Sequence, residues 1–523
     1  MKKIICLAMA LLMIFAVLVA CSKNTPGAGD TTPSSDVPGG SDAPSGSDNS
    51  GNVTESFETN EWSEKVENPD LPDDLDFQGA TIGIACRPET RYIREFSVET
   101  QADPVDLKIF QRNKSVESTL KVKIKMIPDN AMWAAADIQQ FVMQESQAGA
   151  ESETDVIAAY AAYSTTPMLR GFYVNLADET QAPYINPSKG YWNQGYVNAA
   201  TVYNQLYYIV GDLNLTIYDK AIATFTNMDL ATQNGIEPQD MYDAVKNGEW
   251  TYDYFYSLVQ NFDYLDTNEN SSVDVGDVVP LATIGGSEGR DPFVSAWALD
   301  LLVENDDGTH AAVIDGNTKL EAACGKLIDL YDLEGVFLTD IVPSFDQTFV
   351  KGKALFDFDI IYRNADSNKN LRNCGFDYAI LPLPMYDTEQ DGYYTTPQDA
   401  YNAMSVMNHH EDKVDAICAT LELMCAKSYS EVRPFYIEKM VKATYVTGPD
   451  KVNMLDMTLA GITFDTATIY GAQLEYINTG IWRSATMSKI TIAERWAKKR
   501  DAVITAIEDF DIWFAMMDPY AGA

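Results

Sequence analysis

The feature that most constrains this chain is a repeated alternation of short apolar runs with amphipathic segments from about residue 80 onward. Short runs rich in apolar and β-branched residues are typical of buried strands. The strands predicted on this basis are residues 81–86, 121–126, 155–160, 206–210, 354–360 and 378–383. Periodic apolar residues indicate helices, and the helices predicted are residues 104–120, 320–331 and 414–425. Strands alternating with helices are typical of an α/β protein with largely parallel sheets.

The size and charge of the chain narrow its class further. A chain of 523 residues is too long for one ordinary core, so we expect two folded domains from about residue 60 onward. The formal charge is −40, but 46% of the residues are hydrophobic, which indicates a folded acidic protein. Its electrostatic field repels nucleic acids and anionic lipid headgroups, so we expect no nucleic-acid partner.

The N-terminus predicts the compartment. Lys2 and Lys3 precede an uncharged apolar stretch over residues 4–20, which is the pattern of a signal peptide. The stretch is almost long enough to span a bilayer, so a retained membrane anchor is the alternative. Residues 18–21, Leu-Val-Ala-Cys, resemble a bacterial lipobox. This resemblance implies that residues 1–20 are removed and that a lipid on Cys21 anchors the protein to the outer face of the cell membrane.

The segment that follows Cys21, up to residue 56, consists mainly of Gly, Ser, Pro, Thr and Asp. It has too few apolar residues to offset the entropy of ordering, so we predict a flexible linker. A linker of this length has a root-mean-square reach of roughly 30 Å, from about 5–6 Å times the square root of the residue number. The linker would therefore let the folded part stand off a membrane or cell wall.

Several short motifs follow one another in a fixed order over about four-fifths of the chain. They are Gln111-Arg112-Asn113 with Val116-Glu117, the predicted strands 121–126 and 155–160, and then 203–208 (YNQLYY), 249–255 (EWTYDYF), 349–356 (FVKGKALF) and 381–384 (LPLP). Together they resemble extracellular family 1 solute-binding lipoproteins of carbohydrate-type ABC importers, in the form found in Gram-positive gut bacteria.

The resemblance implies a two-lobe, class II periplasmic-binding-protein-like α/β fold with a cleft between the lobes. Chain crossovers are expected near Gly211, Pro384 and Val446. The implied N-terminal lobe is 57–212 plus 385–446, and the implied C-terminal lobe is 213–384 plus 447–523. A ligand is expected at the carboxyl ends of the strands, where open α/β sheets bind small molecules.

The function implied by the resemblance is capture of a small solute, a mono- or oligosaccharide, for delivery to ABC permease subunits. The protein is then a monomer that catalyses nothing and requires no cofactor. Two alternatives are a cell-surface glycoside hydrolase that uses two carboxylates and a mainly helical glycan-capturing lipoprotein of a non-ABC system. A peptide or another polar solute also stays open as the ligand.

A sugar site needs flat apolar faces and planar polar side chains, so candidates were sought at predicted strand ends and in loops beside the cleft. The ligand-binding residues predicted in this way are Arg87, Tyr160, Asp212, Asn214, Trp297, Tyr362, Arg363 and Trp482. The alternative for the aromatic residues is packing in the core, and the alternative for the two arginines is a surface salt bridge.

Residues 266–277 carry oxygen-bearing side chains at positions 1, 3, 5, 9 and 12 of a twelve-residue loop. The segment resembles a dockerin-type or EF-hand loop, which implies a structural calcium ion. The predicted ligands are Asp266, Asn268, Asn270, Ser272, Asp274 and Asp277. Ser271 replaces the usual turn glycine and Asp277 is shorter than the usual glutamate, so a polar surface turn is the alternative.

Motifs for catalysis are absent from the sequence. The three histidines are His310, His409 and His410, and they form no HExxH motif. His409 and His410 are predicted at an exposed helix start. The sequence contains no GxSxG, P-loop or GxGxxG motif. Beyond Cys21 the cysteines have no CxxC spacing, so we predict neither a zinc site nor disulfides but small core residues.

Overall fold

Two β-sheets and the helices around them make up the part of the chain that the computed structural model describes, residues 68–99, 101–339, 344–363, 365–442 and 446–517. The chain divides into two units, Met1–Glu58 and Thr59–Ala523, and all described residues belong to the second. The predicted signal peptide, Cys21 and the linker lie outside the described residues. Among the described helices, none is both long and apolar enough to cross a membrane.

The first sheet has four strands, β1 (Ala80–Cys86), β2 (Val122–Pro128), β3 (Val156–Tyr160) and β11 (Asn402–Val406). They lie in the order β11-β3-β1-β2. β1 pairs in parallel with β2 and β3, whereas β11 runs antiparallel to β3. The sheet therefore combines strands from the start of the chain with one strand that follows the second sheet in sequence.

The second sheet has five strands, β4 (Ile222–Asn227), β5 (Val279–Ile284), β8 (Phe337–Thr339), β9 (Ala354–Ile360) and β10 (Tyr378–Leu381). They lie in the order β10-β4-β9-β5-β8. β5 is parallel to β8 and β9, and β4 runs antiparallel to β9 and β10. A separate antiparallel hairpin consists of β6 (Leu302–Glu304) and β7 (His310–Ala312).

Helices cover both sheets. The α-helices are Thr90–Phe96, Pro104–Leu120, Ala135–Ala148, Ala161–Ser164, Gln194–Ala200, Thr216–Asp219, Met228–Gln233, Pro238–Lys246, Tyr252–Gln260, Pro292–Ala296, Thr318–Tyr331, Ser344–Gln347, Ala365–Arg372, Val414–Lys427, Arg433–Phe435, Pro449–Ala460, Thr466–Ile469, Ser484–Ser488 and Ile492–Met517. π-helical turns cover Ser428–Val432, Tyr436–Lys442 and Asn478–Arg483. The three predicted helices are confirmed, with ends at most two residues away from those predicted.

Five of the six predicted strands are confirmed as β1, β2, β3, β9 and β10. The strand predicted at 206–210 is wrong. That segment makes one single bridge, Ile209 to Met404, instead of a ladder, and Gly211 just after it makes another, to Trp192. A Cβ atom on Gly211 would lie 2.7 Å from the carbonyl oxygen of Tyr191, so the chain passes too close to its neighbours here for a larger residue.

The Asp155 carboxylate, just before β3, contacts β1 and the segment that follows β11. It accepts a hydrogen bond from Gly83 N at 2.8 Å in β1. His410 Nδ1 lies 2.6 Å and Lys413 Nζ 2.8 Å from the other carboxylate oxygen. The exposed helix start predicted at His410 is therefore wrong for this residue, which is buried because its ring pairs with a buried carboxylate.

Buried tryptophans hold the crossover that leaves the second sheet after β10. Trp250 Nε1 donates to Pro382 O at 3.0 Å, and Trp297 Nε1 donates to Pro384 O at 3.1 Å. Both indoles are fully buried among aromatic rings. Buried indole N–H groups usually find an acceptor, and here the acceptors are backbone carbonyls that no ladder uses. The five described cysteines are free, and all but the half-buried Cys374 are buried.

Candidate functional site

Two adjoining cavities lie between the sheets and share Ser287 and Gln398 as lining residues. The first has a volume of about 230 Å³ and is lined by Tyr163, Asp291 and Arg483 among others. The second, which we call the charged cavity, has a volume of about 430 Å³. We call the two cavities together the cleft. It lies at the carboxyl ends of β1, β3, β5 and β9, the edge at which α/β sheets bind ligands.

Four aromatic side chains pack against one another on the first-sheet side of the cleft. Tyr92 and Trp133 line the charged cavity, Tyr163 lines the first cavity, and Tyr160 lies between Trp133 and Tyr163. The ring centroids of Tyr92 and Trp133 are 5.6 Å apart, those of Trp133 and Tyr160 are 5.7 Å apart, and those of Tyr160 and Tyr163 are 5.0 Å apart. We call these four residues the aromatic wall. Trp133 ends a 3₁₀ turn, Asn130–Trp133, whose start is capped by the Asp129 carboxylate. The turn presents a half-exposed indole to the charged cavity.

Arg87 lies behind this wall, directly after β1. Its guanidinium carbon is 3.4 Å from the ring centroid of Tyr92, 4.6 Å from that of Trp133 and 5.2 Å from that of Tyr160. Nε and Nη2 donate to Asn402 Oδ1 at 3.1 and 2.9 Å. The side chain is fully buried, and Nη1 has no hydrogen-bond partner among the described residues. Burial lowers the pKa of Arg87.

A buried carboxyl group joins the two crossovers beside Arg87. Glu95 Oε1 accepts hydrogen bonds from Thr216 N at 2.8 Å and from Thr216 Oγ1 at 2.6 Å. Glu95 Oε2 accepts from Asn402 Nδ2 at 2.6 Å. Thr216 precedes β4 and Asn402 begins β11, so one carboxyl group contacts both segments that pass between the sheets. Burial, only partly opposed by these hydrogen bonds, raises the pKa of Glu95 to about 7.

The raised pKa of Glu95 predicts a pH-dependent stability. Between about pH 4.5 and 7 the unfolded chain releases this proton while the native state keeps it, so the free energy of unfolding falls as pH rises through that window. One pKa unit corresponds to about 1.4 kcal/mol. We expect urea denaturation to show that Glu95→Gln removes roughly 2–3 kcal/mol of the pH-dependent loss seen in the unsubstituted protein.

The control for this prediction is Glu151→Gln, at an exposed position away from the crossovers. It should leave the pH dependence as it is in the unsubstituted chain. An identical pH profile for Glu95→Gln and the unsubstituted chain would show that Glu95 is ionised in the native state at pH 5.

The opposite wall, on the side of the second sheet, carries paired charges. Arg363, after β9, donates to Asp359 through Nε at 3.0 Å and through Nη2, and Nη2 also lies 3.3 Å from Glu288 Oε1. Ser287 Oγ donates to Glu288. Burial raises the pKa of Asp359 to about 6, in spite of Arg363. At the far end Arg483 forms a two-pronged ion pair with Asp291.

Of the eight predicted ligand-binding residues, the structure places Arg363 in the lining of the cleft and packs two more, Arg87 and Tyr160, against aromatic side chains that line it. Tyr160 OH donates to Asp399 Oδ1 at 2.7 Å, and Arg363 lines the charged cavity. Tyr362 lies instead in a separate small cavity of about 60 Å³ that Asp219 and Tyr436 also line.

The other four predicted residues lie away from the cleft and have internal partners. Asp212 accepts from Arg433 Nη1 at 3.1 Å and from Tyr218 OH at 3.1 Å, beside a different cavity. Asn214 is fully buried and donates to Asn402 O at 3.1 Å. Trp297 binds the crossover carbonyl of Pro384, and Trp482 Nε1 donates to Arg290 O at 2.7 Å. Trp297 and Trp482 therefore pack in the core, which was the alternative to ligand binding for the aromatic residues.

Sequence reasoning missed Trp133, Lys220 and Glu288, all of which line the charged cavity. Trp133 follows the predicted strand that became β2, so the rule of looking at strand ends would have found it. Lys220 precedes β4 and Glu288 follows β5, and neither strand was predicted. No local signal therefore marked these two residues.

The acidic loop at 266–277 is held by its own hydrogen bonds. Asp266 accepts from Asn270 N and Ser271 N at 3.3 and 2.7 Å, and Asp274 accepts from the side-chain amides of Asn268 and Asn270. Ser271 has a φ of 61°, the left-handed conformation that a glycine adopts readily. In the described parts of the chain, no group of three or more His, Cys, Asp or Glu side chains is arranged to hold a metal ion. Calcium binding stays a prediction.

Solved structures of similar fold cover most of the chain. The cyclic alpha-maltosyl-1,6-maltose binding protein from Arthrobacter globiformis has a TM-score of 0.52 at 12% identity, over 82% of this chain and 100% of that chain. UspC of M. tuberculosis has a TM-score of 0.51 at 13% identity, with the same coverage of 82% and 100%. An ABC transporter solute binding protein from Thermotoga lettingae bound with alpha-D-tagatose has a TM-score of 0.50 at 13% identity, also over 82% and 100%.

The chain has the fold of the periplasmic binding proteins. The predicted two-lobe α/β architecture with a cleft between the lobes is thereby confirmed. The two sheets of this binding-protein fold do not fit the mainly helical alternative. No protein-family model matches the sequence, and no curated protein matches it.

Proposed function

We propose that this protein captures a sugar in the cleft and delivers it to the permease of an ABC importer. The observation that carries the proposal is the aromatic wall, which faces polar and charged side chains across a cleft between two sheets. Flat aromatic faces pack against the C–H groups of a sugar ring, and planar polar groups pair with its hydroxyls. The charged cavity alone, at about 430 Å³, lies within the range of small-molecule sites, about 300–1,000 Å³.

The path of the chain supports closure of the cleft around a ligand. The polypeptide passes from the first sheet to the second within residues 161–221, and it returns within residues 382–401. Segments that connect two packed bodies are where hinge closure occurs in binding proteins. The Glu95 carboxyl group links the two passages by its hydrogen bonds to Thr216 and Asn402, directly beside Arg87. The hinge that closes the cleft therefore lies next to the residues that line it.

The cellular side of the proposal rests on the sequence. Cys21 carries a lipid on the outer face of the membrane, and residues 22–56 tether the folded part to it. In the neighbouring folds the ligands are a cyclic maltosyl-maltose and alpha-D-tagatose, by the descriptions of those proteins. For this chain the proposal is a mono- or oligosaccharide, bound and released unchanged.

Calorimetric titration of the full chain in mild detergent, against neutral and acidic mono- and oligosaccharides, tests the proposal. We expect binding of one sugar class at micromolar Kd or tighter, with the sugar recovered unchanged by chromatography. Ser287→Trp should abolish binding because it places an indole where the two cavities meet. Ser118→Trp, on the exposed face of helix Pro104–Leu120, is the matched control and should bind normally.

Recovery of a cleaved sugar would contradict the proposal in favour of the glycoside hydrolase. Binding that survives Ser287→Trp would show that the ligand occupies another part of the molecule. Silence across the sugar panel would also reject the sugar proposal and direct the search to peptides and other polar solutes.

A further inference from the structure

Two buried cations beside the charged cavity have no carboxylate partner among the described residues. Lys220 is 7% exposed and lines the cavity, and Arg87 is fully buried behind Tyr92 and Trp133. Neither forms an ion pair within 4.0 Å with any described Asp or Glu. Arg87 bonds to an amide and a carbonyl oxygen, and its Nη1 bonds to nothing described. A buried cation without an anion is costly, so this arrangement needs an explanation.

The acidic groups near the two cations are already engaged. Glu288 and Asp359 bind Arg363. The carboxylate of Asp399 accepts from Tyr160 OH, and that of Asp219 accepts from Tyr436 OH. No described carboxylate lies within 4.0 Å of the Lys220 ammonium or the Arg87 guanidinium. Asp219 attracts Lys220, and Glu89 and Glu95 attract Arg87, only from a greater distance.

The charged cavity gathers basic side chains, although the protein as a whole is strongly acidic. Lysine and arginine number 37 of 523 residues and the formal charge is −40. Arg91, Lys220 and Arg363 nevertheless line this one cavity, against two acidic lining residues, Glu89 and Glu288. Glu288 pairs with Arg363, and Arg91 Nη1 donates to the carbonyl oxygen of Arg363 at 3.2 Å rather than to a carboxylate. Arg91 and Lys220, which form no ion pair with a described carboxylate, can therefore attract an anion into the cavity of an otherwise acidic protein.

We propose that the sugar bound in the cleft carries an oxyanion group (a carboxylate, a sulfate or a phosphate) that pairs with Lys220 in the charged cavity. The inference rests on the proposed function and specifies its ligand class. The sugar ring packs on Trp133 and Tyr92 of the aromatic wall, and its acidic substituent points toward Lys220, with Arg91 and Arg363 at the same cavity surface. The positive field of Arg87 acts on the same group from behind the rings.

The state of Lys220 without ligand agrees with this assignment. Burial, followed by the repulsion of Arg91, lowers its pKa to about 8. An anion placed beside the ammonium removes the cause of that shift, because an opposite charge favours the charged form. An anionic ligand therefore supplies the counter-charge that the protein itself does not place next to the Lys220 ammonium.

Matched pairs of neutral and acidic sugars test the inference by calorimetric titration of the full chain in mild detergent. The pairs are glucose with glucuronate and galactose with galacturonate, and the 6-sulfate and 6-phosphate esters distinguish the kinds of oxyanion. We expect one acidic sugar to bind at least tenfold more tightly than its neutral partner. The preference should shrink at high ionic strength, because salt screens charge pairs.

Lys220→Met should remove most of this preference, so that the acidic sugar and its neutral partner bind with similar affinity. Lys220→Arg should retain the preference. The matched control is Lys489→Met, at a side chain that is 59% exposed and pairs with Asp332 on the surface, and it should bind like the unsubstituted chain. If Lys220→Met does not fold, the salt dependence of the unsubstituted chain and the behaviour of Lys220→Arg still decide the matter.

Equal or tighter binding of the neutral sugars would overturn the inference while the proposed function stands. Retention of the preference in Lys220→Met would also overturn it. Failure of every sugar, neutral or acidic, would overturn the proposed function together with the inference.

Discussion

Replacing Asp212 by alanine is expected to lower the free energy of unfolding by about 3–5 kcal/mol and to leave sugar affinity unchanged. Asp212 is 5% exposed and accepts two contacts from Arg433 Nη1, at 3.1 and 3.2 Å, as well as one from Tyr218 OH. The alanine variant leaves the Arg433 guanidinium, stacked over the Tyr429 ring at 4.1 Å, without its carboxylate. An uncompensated buried charge is among the most destabilising results of a single substitution.

The measurement is urea denaturation at pH 7.5, where Asp212 is ionised although burial raises its pKa to about 6. The double variant Asp212→Leu/Arg433→Met is the matched control. It removes both partners, so it should recover most of the lost stability. A variant Asp212→Ala that keeps full stability but loses the sugar would contradict this prediction and favour the ligand contact predicted from the sequence.

Replacing Trp133 by alanine is expected to weaken sugar binding by roughly 30-fold, which corresponds to about 2 kcal/mol. The indole is half-exposed at the charged cavity and is packed between Tyr92 and Tyr160. It therefore offers a fixed flat face whose position needs little further ordering when a ligand binds. The loss also removes one ring from the group that surrounds the Arg87 guanidinium.

Calorimetric titration with the sugar identified for the unsubstituted chain measures this effect. Trp133→Phe keeps a flat ring at the same place and should lose less than half of the binding free energy that the alanine variant loses. Thermal unfolding of both variants checks that the fold is intact, since Trp133 is not a core residue. Unchanged affinity of Trp133→Ala would place the ligand in the cavity lined by Tyr163 and Arg483 instead.

Local signals explain which elements were predictable. Helix Pro104–Leu120 was predicted with both of its ends, because its start and periodicity lie within the segment itself. Asp103 caps it by accepting from Val105 N and Asp106 N, and Pro104 occupies its first turn. β1 is a short apolar run, typical of a buried strand. β9 is buried throughout as well, although Asp357 and Asp359 interrupt its apolar residues.

The strands that were missed carry polar residues satisfied from far away in the sequence. In β4, Thr224 Oγ1 donates to Pro382 O at 3.1 Å, and in β11 the side chain of Asn402 bonds to Glu95 and Arg87. Both strands are buried throughout. A buried polar residue looks like a loop residue until its partner is known.

Sequence alone determined the alternation of strands and helices, the two-lobe expectation and the importance of strand ends. Each of these depends on the order of residues along one segment. Only the tertiary structure decided the roles of single side chains. Nothing in the sequence distinguished Trp297 and Trp482 from Trp133 as ligand contacts. In the structure, the indole N–H groups of Trp297 and Trp482 donate to backbone carbonyls in the core, whereas Trp133 faces a cavity. The charge of the cleft was likewise undetermined, because Arg87, Lys220 and Arg363 come from distant segments, and their pairing depends on what the fold places beside them.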